Sequence, residues 1–167
     1  KGTTIDGVCQ CLWQYASPGQ PEQQSQEADL PLLARMNRDL IRDEGHRNAM
    51  SLADLEERMR GWLRGEYNAV VFRQADRIVA YLLYRTDGAG VYVRQLFVAR
   101  EVRRRGIGAA ALGLMAREVW PADARISLEV LAHNSAALDF YRALGFVPYA
   151  ISLEIQGRVL AGGTRPD

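Results

Sequence analysis

The chain has 167 residues, enough for one domain with a sizeable core, and at 48% hydrophobic and 25% charged its composition is that of a globular protein. A formal net charge of +1 argues against a general nucleic-acid binder, and no apolar stretch approaches the roughly 20 residues that span a bilayer. Charge is nonetheless uneven: Arg100, Arg103, Arg104 and Arg105 crowd together and acids gather around Asp39–Glu44, which reads as two local electrostatic sites.

With no signal-like apolar opening, the expected compartment is the reducing cytoplasm. The Cys9-x-Cys11 pair, without further Cys or clustered His, cannot complete a tetrahedral zinc site, so it reads as two reduced thiols and no metal is expected. Val8–Tyr15 reads as a first strand and the polar Ser17–Gln26 as a loop, making residues 1–26 an N-terminal strand and loop. Asp29 ahead of Leu30-Pro31 reads as a helix cap, and Leu32, Leu33, Met36, Leu40 and Ile41 recur at helical spacing to about Glu44. Ser51 with Asp54 predicts the cap of a second helix carrying Leu52, Leu55, Met59, Trp62 and Leu63 on one stripe.

After Gly65 the pattern becomes strand-like. Tyr67–Arg73 and Ile78–Tyr84 are β-branched or aromatic runs, and the turn Asp87-Gly88-Ala89-Gly90 leads into Val91–Val98, so these three form an antiparallel meander. A turn at Gly106–Gly108 opens a helix through Trp120, followed by a strand Ile126–Leu131 and a helix Ser135–Leu144 stopped by Gly145. A last strand is expected at Val147–Ile155 and a frayed tail at residues 161–167. The implied fold class is mixed α/β, one three-layer domain over residues 1–167.

The stretch Gln95–Gly108 is the most informative. A strand ends, a basic loop follows, and two glycines let the backbone approach a ligand at the start of an Ala-rich helix. Exposed N–H groups and the helix dipole favour a phosphate there, and the arginines add charge-assisted donors, which predicts a pyrophosphate site. A P-loop is excluded because its Lys-Ser/Thr is missing, and G-x-G-x-x-G fails because position 111 is Ala. The run Arg103-x-x-Gly106-x-Gly108 resembles the acetyl-CoA motif of the GNAT acetyltransferases, [Gln/Arg]-x-x-Gly-x-[Gly/Ala]. Leu128-Glu129-Val130 followed by Asn134, Ala137, Phe140-Tyr141 and Leu144-Gly145-Phe146 resembles the second half of that family's pattern.

The resemblance implies a GNAT-like fold, with a central, mostly antiparallel sheet splayed between strands four and five and helices on both faces. It implies a β-bulge near Leu96–Val98 and acetyl-CoA as co-substrate. The pantetheine arm would meet the backbone of Leu96, Phe97 and Val98 and the side chain of Asn134, which is also a good helix cap. The pyrophosphate would meet Arg103, Arg104, Arg105, Gly106, Ile107 and Gly108.

The resemblance also implies Tyr141 as general acid for the departing thiolate. Glu129, which alternates away from Leu128 and Val130, is the candidate base. A structural carboxylate is an equal alternative at Glu129, and a packed aromatic is the alternative at Tyr141. Strand four carries Tyr92 and Arg94 where other family members keep a catalytic Glu. His133, at a helix start, reads as structural. On the acceptor side, Asp43 and Glu44 would draw in a cationic amine and His46 is an alternative base; a solvated helix end is the competing reading. The expected function is transfer of an acetyl group to a primary amine, on a small molecule or a peptide, by direct transfer in a ternary complex. The alternative is a non-catalytic acyl-CoA-binding module. No nucleic-acid or membrane partner is expected, and a homodimer stays open because dimers are common among related folds.

Overall fold

The computed structural model describes residues 23–74, 77–88 and 90–161, together with three short strands, β1 (Thr4–Ile5), β2 (Val8–Cys9) and β3 (Trp13–Gln14). The expected thiol at Cys11 and the tail beyond residue 161 lie outside the described residues. Two units divide the chain, Lys1–Asn134 and Ser135–Asp167.

In the first unit, helices α1 (Gln23–Asp43) and α2 (Leu52–Arg64) precede the strands β4 (Asn68–Gln74), β5 (Arg77–Asp87) and β6 (Gly90–Val98). Then come a 3-10 turn at Arg100–Val102, helix α3 (Ile107–Glu118) and strand β7 (Arg125–Leu128). The sheet order is β3-β4-β5-β6-β7, antiparallel except for the parallel β6–β7 pair. Alternation sorts its side chains by face. Ala69, Val71, Tyr81, Leu83 and Phe97 pack with Leu30, Leu33, Met36, Leu40 and Met59 of α1 and α2. Toward α3, Trp120 meets the Tyr84 ring edge-on at 5.6 Å. A sheet buried on both faces reads as continuous apolar runs, as β4 and β5 do.

Several features of this unit differ from the sequence expectation. Helix α1 starts at Gln23 and runs through Pro31, so Asp29 is not a cap; its carboxylate lies 3.6 Å from the Arg73 guanidinium of β4. The bulge lies earlier than Leu96–Val98. Leu83 pairs with Gln95 and Tyr84 with Val93, which leaves Arg94 as the extra residue on β6. Strand β7 ends at Leu128, where its pairing with Val93 of β6 ends.

The second unit contains α4 (Ser135–Ala143) and the short α5 (Gly157–Ala161). Helix α4 closes in a Schellman turn: the N–H of Phe146 donates to the carbonyl of Tyr141 at 3.1 Å and that of Gly145 to Arg142 at 2.9 Å. Residues 147–155, expected as a strand, carry no regular secondary structure. Alternating apolar residues are insufficient there, because a strand also needs a ladder partner and none is paired with them among the described residues.

Candidate active site

The site is organised by where β6 and β7 part. Their parallel ladder runs from Gly90–Arg125 to Val93–Leu128 and stops, while β6 continues to Val98. Alternate residues beyond Val93 therefore turn backbone N–H and C=O groups toward an edge that β7 no longer covers. Leu96, Phe97 and Val98 lie on this edge, and Glu129 directly follows the last paired residue of β7. The Glu129 carboxylate lies beside the phenol of Tyr92, and burial together with that carboxylate pushes the Tyr92 phenol up.

The basic loop after β6 is tightly shaped. Arg104 sits at φ 62° and Gly106 at φ 77°, and Gly106 is the N-cap of α3 without any side-chain cap. The first N–H groups of α3, on Ile107 and Gly108, thus face outward from a left-handed turn, the geometry that cradles anions. Arg104 and Arg105 are exposed beside them. Arg103 turns the other way. Its Nε donates to the carbonyl oxygen of Val98 at 2.7 Å, its Nη2 donates to Oδ2 of Asp43, and its guanidinium lies 5.4 Å from the Phe97 ring centre.

The acidic end of α1 meets that loop. Asp43 also accepts from Arg100, whose Nε approaches Oδ1 at 2.9 Å. Hydrogen bonds from Arg100 first, then from Arg103, hold the Asp43 carboxyl below the usual carboxylate range despite its burial. Asp43 therefore ties α1 to the loop, and its charge is already matched by two guanidinium groups. Its neighbour Glu44 is pushed the opposite way, first by burial and then by the Asp43 charge. The backbone oxygen of Glu44 lies 2.8 Å from His133 Nε2, which joins the end of α1 to the loop after β7. His46 Nδ1 accepts from the Asn48 N–H at 3.1 Å, leaving Nε2 as the ring nitrogen open to other chemistry.

Beneath these groups a polar chain crosses the core. Tyr81 donates to Gln95 Oε1 at 3.0 Å, and Gln95 Nε2 donates to Asn37 Oδ1 at 2.8 Å. Burial, and behind it Glu44, drives the Tyr81 phenol far up, so it stays a neutral donor. In the second unit Tyr141 is half-buried on α4, with ring centres of Phe140 at 5.0 Å and Phe146 at 5.5 Å, both edge-on. Asn134 stands immediately before α4, its N–H donating to Leu131 at 2.8 Å.

The two charge clusters visible in the sequence are thus partly one cluster in space, a complementarity their opposite signs announce. The roles of His133 and of the Tyr81–Gln95–Asn37 chain have no local signal, because their partners are far away in sequence. Among the described residues no group of three or more His, Cys, Asp and Glu could hold a metal ion, and no helix is long and apolar enough to cross a membrane.

The family model described as an acetyltransferase (GNAT) domain matches residues 22–158. Among solved structures, a possible acetyltransferase from Clostridium difficile 630 superposes with a TM-score of 0.63 at 18% identity, covering 78% of this chain and 91% of its own. The aminoglycoside N-acetyltransferase AAC(6')-Iy in complex with CoA gives 0.63 at 11% identity, covering 92% and 98%. An aminoglycoside acetyltransferase from an uncultured soil metagenomic sample, in complex with sisomicin, gives 0.58 at 20% identity, covering 78% and 91%. At such identities the likeness establishes the fold. No curated protein matches the sequence.

Proposed function

The chain belongs to the GNAT acetyltransferase family and is an acyltransferase; from that premise we propose that it moves an acetyl group from acetyl-CoA directly to a primary amine within a ternary complex. The observation that carries this reading is the early end of the β6–β7 ladder at Val93–Leu128, with β6 running on into the Gly106 turn. A thioester arm needs backbone donors and a diphosphate needs outward N–H groups near cations; both lie along this one continuous segment.

In this reading Arg104, Arg105 and the N–H groups of Gly106, Ile107 and Gly108 bind the diphosphate. Arg103 acts as a positioning residue that holds the loop against Asp43 and Val98. The backbone of Leu96, Phe97 and Val98 and the amide of Asn134 orient the pantetheine and the thioester carbonyl. When bound, acetyl-CoA supplies the activated acyl group. Glu129 takes a proton from the incoming ammonium so that the neutral nitrogen attacks the carbonyl carbon. The C–N bond forms, the C–S bond breaks, and Tyr141 gives its proton to the departing thiolate. The second proton, shed by the attacking nitrogen as it becomes an amide, restores the Tyr141 phenol. Positioning and modest proton transfers of this kind supply most of the rate.

The likeness to two aminoglycoside acetyltransferases supports a small-molecule amine as acceptor. Glu44 and His46, at the end of α1, are proposed to border its entry, whereas Asp43 serves the loop. A thiol-release assay over a panel of amines tests the function. Acetyl-CoA-dependent thiol release with at least one primary amine is expected, and release no faster than background hydrolysis for every amine contradicts it.

A further inference from the structure

The face of the sheet that carries Tyr92 and packs against α1 and α2 holds a cationic feature that the acyl-transfer chemistry does not use. The bulge lets two successive residues of β6 serve the same side: Gln95 reaches Asn37 of α1, and Arg94 lies over Trp62 of α2. The Arg94 guanidinium carbon is 4.6 Å from the Trp62 ring centre and 5.7 Å from that of Tyr67. The Arg58 guanidinium carbon, coming from α2 itself, is also 4.6 Å from the Trp62 ring centre.

Two guanidinium groups gathered on one indole repel each other, and cation–π contacts offset only a part of that repulsion. Neighbouring arginines do have carboxylate partners: Arg85 of β5 has Glu66, and Arg60 of α2 has Glu56 and Glu57. Arg58 and Arg94 have none within ion-pairing distance among the described residues. Moreover, the Nε of Arg58 is buried without a hydrogen-bond partner there. Burial first, and the Arg94 charge second, weigh against the protonated form of Arg58. A planar, forked donor in this state matches a carboxylate. The same face carries Tyr92, with the Glu129 carboxylate beside it.

We propose that Arg94 and Arg58, stacked on Trp62, form the seat for a carboxylate of the acceptor, so that the amine acetylated by this protein belongs to a small amino-carboxylate. This inference rests on the acyl-transfer reading and narrows it: the ammonium end goes to Glu129 and the carboxylate end to the arginines. A polycation such as an aminoglycoside would meet these two positive charges unfavourably.

The test pairs each amino acid in a thiol-release panel with its carboxamide and its decarboxylated amine. The wild type is expected to favour the carboxylate form by about tenfold or more in kcat/KM, the scale of a charge-assisted hydrogen bond. Arg94→Gln and Arg58→Gln are expected to shrink that preference toward unity, and Arg94→Lys to restore part of it. Acetyl-CoA binding, followed by calorimetry, verifies that each variant is folded. Equal or better use of the neutral and polycationic amines by the wild type overturns the carboxylate seat while leaving acyl transfer standing. So does a preference that both glutamine variants retain. Loss of CoA binding in the wild type overturns both.

Discussion

Asp43 and Arg103, 60 positions apart in the chain, are joined where α1 ends and the basic loop begins, and the same Arg103 donates to the Val98 carbonyl at the end of β6. A residue that the charge pattern offers as a lure for cationic substrates is thereby a strut for the cofactor loop. Its protonation has a definite sign. The folded carboxyl is held below its ordinary value by Arg100 and Arg103. The ion pairs therefore stabilise the fold above the unfolded value of about 3.9, and that contribution is lost as pH falls through the folded value. Asp43→Asn should cost on the order of 1 kcal/mol at neutral pH and flatten this part of the acid limb, as read from urea unfolding at a series of pH values.

Tyr141→Phe keeps the edge-on contacts with Phe140 and Phe146 and removes only the hydroxyl. Turnover should fall by about 10²-fold or more, the usual share of a general acid, with CoA affinity and unfolding midpoint little changed. Equal loss of affinity and turnover would mean that the phenol packs rather than donates.

Glu129→Gln should remove the acidic limb of the rate-versus-pH profile measured with a saturating amine. The side chain follows the last paired residue of β7, so the ladder itself is not disturbed. An unchanged profile would move the base to His46, whose Nε2 is the open ring nitrogen, or to water.

Arg104→Glu should raise the acetyl-CoA half-saturation more than it lowers kcat, because a remote phosphate contact binds ground and transition states alike. Gly106→Val tests the backbone half of the same site. At φ 77° a β-branched side chain is strained, so stability should drop by about 1 kcal/mol or more along with CoA affinity.

Gly90→Ala probes the pairing that sets where the strands part. A Cβ there would lie 2.4 Å from the Arg125 carbonyl oxygen, so the first rung of the β6–β7 ladder cannot form as it stands. Thermal unfolding should shift clearly downward, and CoA binding should weaken with it.

Much of this fold is written locally. The capping box of α2 is legible as Ser51 and Asp54, and the Asp54 N–H does donate to Ser51 Oγ at 3.2 Å. The β4–β6 meander follows from its turn residues, and the Gly106 turn from the glycine ahead of an Ala-rich run. What is not legible depends on partners far along the chain. The bulge at Arg94 is a matter of register between β5 and β6, which periodicity cannot place. Residues 147–155 alternate like a strand, but alternation describes a face and not a neighbour. Pro31 resembles a helix start because proline suits the first turn, yet α1 extends beyond it on both sides. Nothing local in the sequence links Arg58 to Arg94, 36 positions apart; Trp62 brings them together.

Calorimetric titration of the folded chain with acetyl-CoA and with CoA tests the central claim most directly. Saturable binding of both at one site per chain, weakened by Arg104→Glu, is the predicted result. Absence of any binding heat for either compound across several temperatures would contradict it.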